Sequence, residues 1–431
     1  MALAPQIQVR QHLLLSEYER EALATNKIPP EKGRDLLRFG LFGEVGGVLG
    51  LVKKSYRDLV PHDLSAITEE LGDALWYLTN VAAAFGLTLQ QVGERSMALL
   101  HANANASAPV TGDLSFDQFD ALMTLQRAQW PEERKPEILR ALAAQAGQLM
   151  GHDGAASATP KLFDGHVLEW LGEVLANMVI LAALFHQHTA TVAEQNIVKV
   201  QSRWPGDNPQ YLPLFDEEFA ELEQFPREFE MHFIERRPDK GRPYVIQRLR
   251  GVNVGDRLTD NRTQEDGYRF HDVFHLAYLT HLGWSPVIRA LLKLKRKSEP
   301  DVDENQDGAR AIIIEEGIAT WIFNLAHRRN YFRGIEPGRL DYNILKQLVD
   351  MVDGYEVHAC PLWQWERAVL DGFRIFLLLR DSASGCGVVK VNLLTRTMAF
   401  VEEPAPVDKP AKPKPRPKMV GALPPGLPSH E

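Results

Sequence analysis

Cysteine is almost missing from this chain. Cys360 and Cys386 are the only two among 431 residues and neither sits in a CxxC pair, which excludes a disulfide framework and leaves two buried thiols as the expectation. Positive charge is also short. A formal net charge of −9 argues against general nucleic-acid binding driven by phosphate neutralisation. Long apolar runs are lacking too: NMVILAALF is too short to span a bilayer, and the start, MALAPQIQVRQHLLLSEYER, has no basic segment followed by an apolar one. No membrane partner and a cytoplasmic location are therefore expected. What is present is an ordinary globular composition, 45% hydrophobic and 24% charged, with enough chain for two or three domains. The basic segment LLKLKRKSEP, with Lys293, Lys295, Arg296 and Lys297, reads as a solvated helix face.

The chemistry-bearing residues cluster early. In LFGEVGGVLGLVKK and ITEELGDALWYLTNVAAAFGL, the carboxylates Glu44, Glu70 and Asp73 fall on two predicted helices. Glu70 and Asp73 are three apart and Asn80 is seven further on, so the three share one helix face; Glu44 is read as opening the facing helix. Three carboxylates converging on one cleft make a hard-metal site, suited to Mg²⁺ or Mn²⁺ and to phosphate ligands. Glu69, a quarter-turn away, is expected to support this set or to orient water as a base. Gly43, Gly46, Gly47 and Gly50 lie inside one predicted helix, where each costs about 0.8–1 kcal/mol relative to Ala. Such a series is tolerable where a helix or ligand approaches the backbone closely.

ITEELGDALWYL resembles the second metal-binding helix (ExxD) of the MazG-like all-α nucleoside triphosphate pyrophosphohydrolases, and GEVGGVLGLVKK resembles their first (ExxE), over roughly residues 12 to 104. The resemblance implies a four-helix unit that hydrolyses a nucleoside triphosphate to the monophosphate and diphosphate with Mg²⁺. It assigns Glu44, Glu70 and Asp73 to the metal, these with Glu69 to catalysis, and Lys53, Lys54, Trp76 and Asn80 to the substrate. Lys53 and Lys54 read equally well as a basic helix end, and Trp76 as core. The family's first helix supplies two glutamates three apart, whereas this chain has Glu44 and then Gly47. Weakened or lost catalysis follows as an expectation, with water filling the space at Gly47.

SEYEREALATNK offers Ser16 and Glu19 as a capping box, and four helices follow to about residue 104. Residues 115 to 205 repeat the pattern: SFDQFDALMTLQRAQWPEER echoes SEYEREALATNKIPPEK, and EWLGEVLANMVILAALF echoes EELGDALWYLTNVAAAF. In this copy Gln145, Gln148 and Trp170 stand at the Glu44, Gly47 and Glu70 positions, and Glu173 alone keeps a carboxylate, at the Asp73 position. It is expected to bind no metal but to complete an in-chain pseudo-dimer, since short helices cannot bury their apolar faces alone; a homo-oligomer is a further expectation.

From about residue 206 strands appear: EFEMHFIERR and RPYVIQRLRGVNVG around the turn PDKGRP, then GVVKVNLLTRTMAFVE, with helices between. The expected fold class is mainly α, with tandem MazG-like four-helix units at 1–105 and 110–205, an α+β domain at 206–403 and a disordered Pro/Lys tail at 404–431.

RFHDVFHLAYL places His271 and His275 four apart on one helix face with Asp272 beside the first, and IIIEEGIATWIF adds Glu315 and Glu316. Imidazoles at this spacing can share a metal; a capped helix with a core histidine is the other reading. His232, Asp350 and Asp353 are nominal partners for an HD-type arrangement, and Arg257, Asn261, Arg262 and Arg269 offer a phosphate-binding alternative at the same helix start. This region is similar to the C-terminal domain that accompanies some MazG-like proteins.

Three functions follow. The first is an Mg²⁺-dependent nucleoside triphosphate pyrophosphohydrolase. The second is a nucleotide-binding regulatory protein without turnover, and the third a His/Asp/Glu metallohydrolase centred on the C-terminal domain.

Overall fold

The computed structural model describes residues 12–103, 112–151 and 160–405. The chain divides into two units, Met1–Leu212 with Glu336–Arg367, and Pro213–Ile335 with Ala368–Glu431. Within the range expected as one C-terminal domain, residues 336–367 thus pack into the first unit. The expected tail lies outside the described residues from 406 onward.

The first unit contains α1 (Leu15–Ala24), α2 (Pro30–Asp58), α3 (Leu64–Ala84) and α4 (Leu89–Asn103), then α5 (Phe116–Leu125), α6 (Lys135–Gly151), α7 (Pro160–Leu184) and α8 (Thr189–Arg203). The helix α1 starts before Ser16, and Glu17 rather than Glu19 receives the cap bond, from the Leu14 amide at 3.2 Å. The cause is a short antiparallel pairing: Leu15 N donates to Leu114 O at 2.8 Å and Phe116 N to Leu13 O at 3.2 Å, which keeps both helix starts extended.

This pairing is reciprocal, and so is the packing deeper in. The Cβ that Gly72 lacks would meet Asn196 at 2.9 Å, and the one Gly172 lacks would meet Arg95 at 2.6 Å and Ser96 at 3.5 Å. Gly72 and Gly172, like Ser96 and Asn196, are a hundred residues apart. The last helix of each set lies on the third helix of the other, and one continuous core of Leu, Val, Ala and Phe runs through both sets. Glu44 falls in the middle of α2 rather than at its start. Within α7, His166–Leu184 is long and apolar enough to cross a membrane, longer than the run read from sequence, yet two-thirds of it is buried, as in a core helix.

The second unit is α+β. Strands β1 (Glu228–Arg236), β2 (Tyr244–Leu249), β3 (Val252–Leu258), β4 (Cys386–Asn392) and β5 (Thr397–Glu402) form an antiparallel sheet in the order β3-β2-β1-β4-β5. In β1, Phe229, Met231 and Phe233 face the core while Glu228 and Glu230 face solvent, the period of two that a half-buried strand imposes. Helix α9 (Asp272–Leu282) packs on β4 and β5 and every one of its residues is buried, as expected of a helix apolar almost all round.

The remaining helices are α10 (Pro286–Leu292), α11 (Pro300–Asn305), α12 (Ala309–His327), α13 (Tyr342–Met351) and α14 (Leu362–Asp381). The helix expected through LKLKRK stops at Leu292, because Lys293 adopts left-handed backbone at φ 62°. That segment is a solvated face only in part: Lys293 and Lys297 are exposed, but Arg296 is not. Arg296 is 1% exposed and bonds Asp307 at 2.7 Å.

Candidate functional site

Helices α2 and α3 lie side by side, which brings Glu44 to Glu70 and Asp73. The reason α2 can come so close is partly glycine. A Cβ at Gly40 would fall 2.1 Å from the Tyr77 ring, and one at Gly47 would fall 1.9 Å from Oε2 of Glu70. The space at Gly47 is therefore filled by the Glu70 carboxylate and not by the water expected there. Gly43, Gly46 and Gly50 have nothing within 4 Å of a Cβ position, so close approach explains only one member of that series.

Glu44 and Glu70 are hydrogen-bonded to each other. Burial, then the nearby Asp73 and Glu70 charges, push Glu44 up to about 8, so the pair holds a proton at neutral pH. Asp73 accepts from Asn196 Nδ2 at 3.0 Å and from the Lys199 ammonium. Burial still raises its pKa, with Lys199 opposing. Asn196 is itself fixed by the Tyr18 hydroxyl at 2.7 Å. Of the two parts expected of Glu69, its contacts fit the supporting one. It accepts from Lys199 at 2.8 Å, from the Tyr342 hydroxyl at 2.7 Å and from Lys346. Against burial, these donors hold it at about 2, so it is a fixed anion and not a base.

Asn196, Lys199, Tyr342 and Lys346 were not singled out from the sequence. Asn196, Lys199 and Arg203 form a polar stripe on the otherwise apolar face of α8, a signal that was available. Tyr342 and Lys346, four apart on α13, carry none. The second helical set, expected to contribute only packing, thus supplies two side chains to the first set's carboxylates.

A cavity of about 410 Å³ opens beside this cluster, lined by Glu44, Asp73, Trp76, Tyr77, Lys199 and Arg203 among others. Trp76 is buried, as the core reading has it: its indole donates to Thr25 Oγ1 at 2.9 Å, and the residue also lines the cavity. Arg203 is 7% exposed, donates one amino group to the Leu340 carbonyl and leaves Nη1 without a partner. Asn80 does not reach the cavity. Its amide donates to the Trp76 carbonyl at 2.9 Å and accepts from Asn26 at 2.9 Å, which makes it a brace between α3 and the loop before α2. Lys53 and Lys54 are exposed further along α2 and do not line the cavity.

The second unit brings together the other set. His271, His275 and Glu316 place one ligand atom each within 4.8 Å of one another, and Asp272 lies 3.1 Å from His271 Nε2. Glu315, at 0% exposure, faces His275 from behind. Burial would lower His275, but Glu315 and Glu316 raise it well above the usual histidine range. The other candidates of that region are elsewhere engaged. Arg262 pairs with Asp266 at 3.0 Å on the surface, and Arg269 is buried between Asp260 and Glu235, each at 2.7 Å. His232 pairs with Glu403 at 3.1 Å, while Asp350 and Asp353 belong to the first unit.

Residues 210–404 match the family model of the MazG C-terminal domain. The chain therefore carries a MazG-associated C-terminal domain, on a fold that is mainly α with an α+β second unit. No curated protein matches the chain, and no solved structure does.

Proposed function

We propose that this protein is a nucleoside triphosphate pyrophosphohydrolase whose first unit uses a single divalent cation, Mg²⁺ or Mn²⁺. The observation that carries this reading is the convergence of Glu44, Glu70 and Asp73 beside a cavity whose lining also includes Lys199 and Arg203.

The donor set fits one hard cation. Three carboxylate oxygens are its preferred ligands, and the proton trapped between Glu44 and Glu70 marks a place where positive charge is wanted. A second cation has no comparable place, because Glu70 fills the space at Gly47 and the Lys199 ammonium occupies the far side of Asp73. When bound, the cation supplies charge neutralisation at phosphate oxygens and a site where water becomes a stronger nucleophile.

The chain's own residues then have distinct tasks. Lys199 carries fixed positive charge beside the carboxylates and is aimed by Glu69, which Tyr342 and Lys346 hold ionised. Arg203, with one amino group held by the Leu340 carbonyl, brings a guanidinium charge to the cavity lining. The Trp76 ring, with Tyr77 edge-on against it, gives an apolar wall beside the cluster, a surface on which a base could stack for about 1–3 kcal/mol. Glu44 and Glu70 would hold the cation only once the proton between them is given up to solvent.

Pyrophosphate release from a panel of nucleoside triphosphates with Mg²⁺ tests this reading. Turnover in the wild type and its loss in Glu70→Gln are expected; a wild type that hydrolyses none of them sinks it. One observation favours a second reading, nucleotide binding without turnover: Glu70 is held by Glu44 in the space of a missing ligand. Saturable nucleotide binding in a silent wild type selects it.

A further inference from the structure

We propose that His271, His275 and Glu316 form a binding site for a divalent transition-metal ion of the zinc class, separate from the carboxylate cluster of the first unit. The hydrogen-bond directions around the two imidazoles carry the argument. His275 is fully buried, and its Nδ1 lies 2.8 Å from Oε1 of Glu315. Glu315 also accepts from Ser285 Oγ at 2.7 Å and from the Val287 amide at 2.8 Å. A carboxylate with three donors around it is an acceptor, so Nδ1 carries the hydrogen. That leaves Nε2 pointing the other way, buried, with Oε1 of Glu316 3.6 Å away, beyond hydrogen-bond distance.

His271 repeats the arrangement. Its Nδ1 lies 2.9 Å from the carbonyl oxygen of Tyr268, which can only accept, so Nδ1 again carries the hydrogen. Its Nε2 then faces Oδ1 of Asp272 at 3.1 Å and Oε2 of Glu316 at 3.7 Å. Two ring nitrogens free to act as ligands thus converge on carboxylate oxygens. Neutral imidazoles would set lone pair against lone pair there; a proton or a metal cation among them removes the conflict, and the geometry accommodates either.

The supporting contacts are those a metal site needs. Glu315 and the Tyr268 carbonyl fix both tautomers. The Tyr268 ring stacks on His271 at 4.3 Å with planes 2° apart, and Gln247 holds the far oxygen of Asp272. Donors about 2.0–2.2 Å from a shared tetrahedral ion stand about 3.3–3.6 Å apart, so a set whose members lie within 4.8 Å of one another closes by side-chain rotation. Two imidazoles and a carboxylate suit zinc or its first-row neighbours better than Mg²⁺. The Glu316 side chain is 42% exposed while both histidines are covered, so solvent reaches the site from that side and one coordination position is left for water.

Cobalt(II) is the probe, because its visible absorption reports nitrogen ligation. Full-length protein is stripped with chelator, dialysed and titrated with Co²⁺. One intensely absorbing Co²⁺ per chain is expected, beside any faintly absorbing ion at the first-unit carboxylates, with its bands displaced by Zn²⁺ and retained in Glu70→Gln, which disables the first-unit cluster. Glu316→Gln, a substitution at the half-exposed ligand, is expected to weaken binding at least tenfold with an unchanged far-ultraviolet circular dichroism spectrum, and His271→Gln to do the same. A faint spectrum like that of the hydrated ion overturns the proposal, as does Glu316→Gln binding Co²⁺ like the wild type. Loss of the bands in Glu70→Gln would assign the metal to the first unit instead.

Discussion

Lys199 donates to Asp73 across 126 positions of sequence, joining the last helix of one four-helix set to the carboxylate-bearing helix of the other. The same ammonium lies 4.3 Å from the Tyr342 ring centroid. Removing it in Lys199→Met leaves Asp73 with Asn196 as its remaining side-chain hydrogen-bond donor. The loss expected is about 1.5–3 kcal/mol, the range for hydrogen bonds to charged groups. Urea unfolding in EDTA and in Mg²⁺ checks it: the variant should be less stable than wild type in EDTA and should regain more than wild type when Mg²⁺ is added.

Gly47 and Glu70 compete for one volume. In Gly47→Ala the new Cβ, 1.9 Å from the present Oε2 position, turns the carboxylate away, which is cheap because it is the end of a flexible side chain. The helix itself gains up to about 1 kcal/mol in propensity. Isothermal titration should therefore show Mg²⁺ affinity reduced at least tenfold while the urea midpoint in EDTA is no lower than that of wild type.

The proton shared by Glu44 and Glu70 predicts a pH dependence. Folding raises Glu44 from its ordinary 4.5 to about 8, so over that interval the native chain binds more protons than the unfolded one and stability falls as pH rises. The contribution is whole below about 4.5 and gone above about 8. Without divalent cations, the urea midpoint should drop between pH 5.5 and 8 more steeply in wild type than in Glu44→Gln, which keeps a donor but no titrating group. Saturating Mg²⁺ should flatten the wild-type slope.

In the second unit, Asp307 is 1% exposed and serves two arginines, Arg296 at 2.7 Å and Arg289 at 3.5 Å. Removing one partner of a buried ion pair costs about 3–5 kcal/mol. Asp307→Ala should lower the stability of this unit by that amount, measured by urea unfolding, with the carboxylate cluster of the first unit still binding Mg²⁺.

Much of the fold was written in periodicity. The three- and four-residue steps of Leu71, Leu75 and Leu78 marked α3, and the alternation of Phe229, Met231 and Phe233 marked β1, because burial on one face imposes its period on the sequence. Tight turns were less legible. Lys293 ends α10 with left-handed backbone, a conformation that neither charge nor hydropathy announces.

By itself the sequence determined which side chains share a helix: Glu70 with Asp73, and His271 with His275, since helical spacing is a local property. It also showed the absence of a glutamate at position 47. Only the tertiary structure decided what fills that space, that Glu69 is locked by Lys199, Tyr342 and Lys346, and that Glu315 stands behind His275. Each of these joins segments at least 40 residues apart in sequence or depends on which rotamer a neighbour leaves free. Such pairings are fixed by how apolar faces pack, and packing is a property of the whole unit and not of any window of residues.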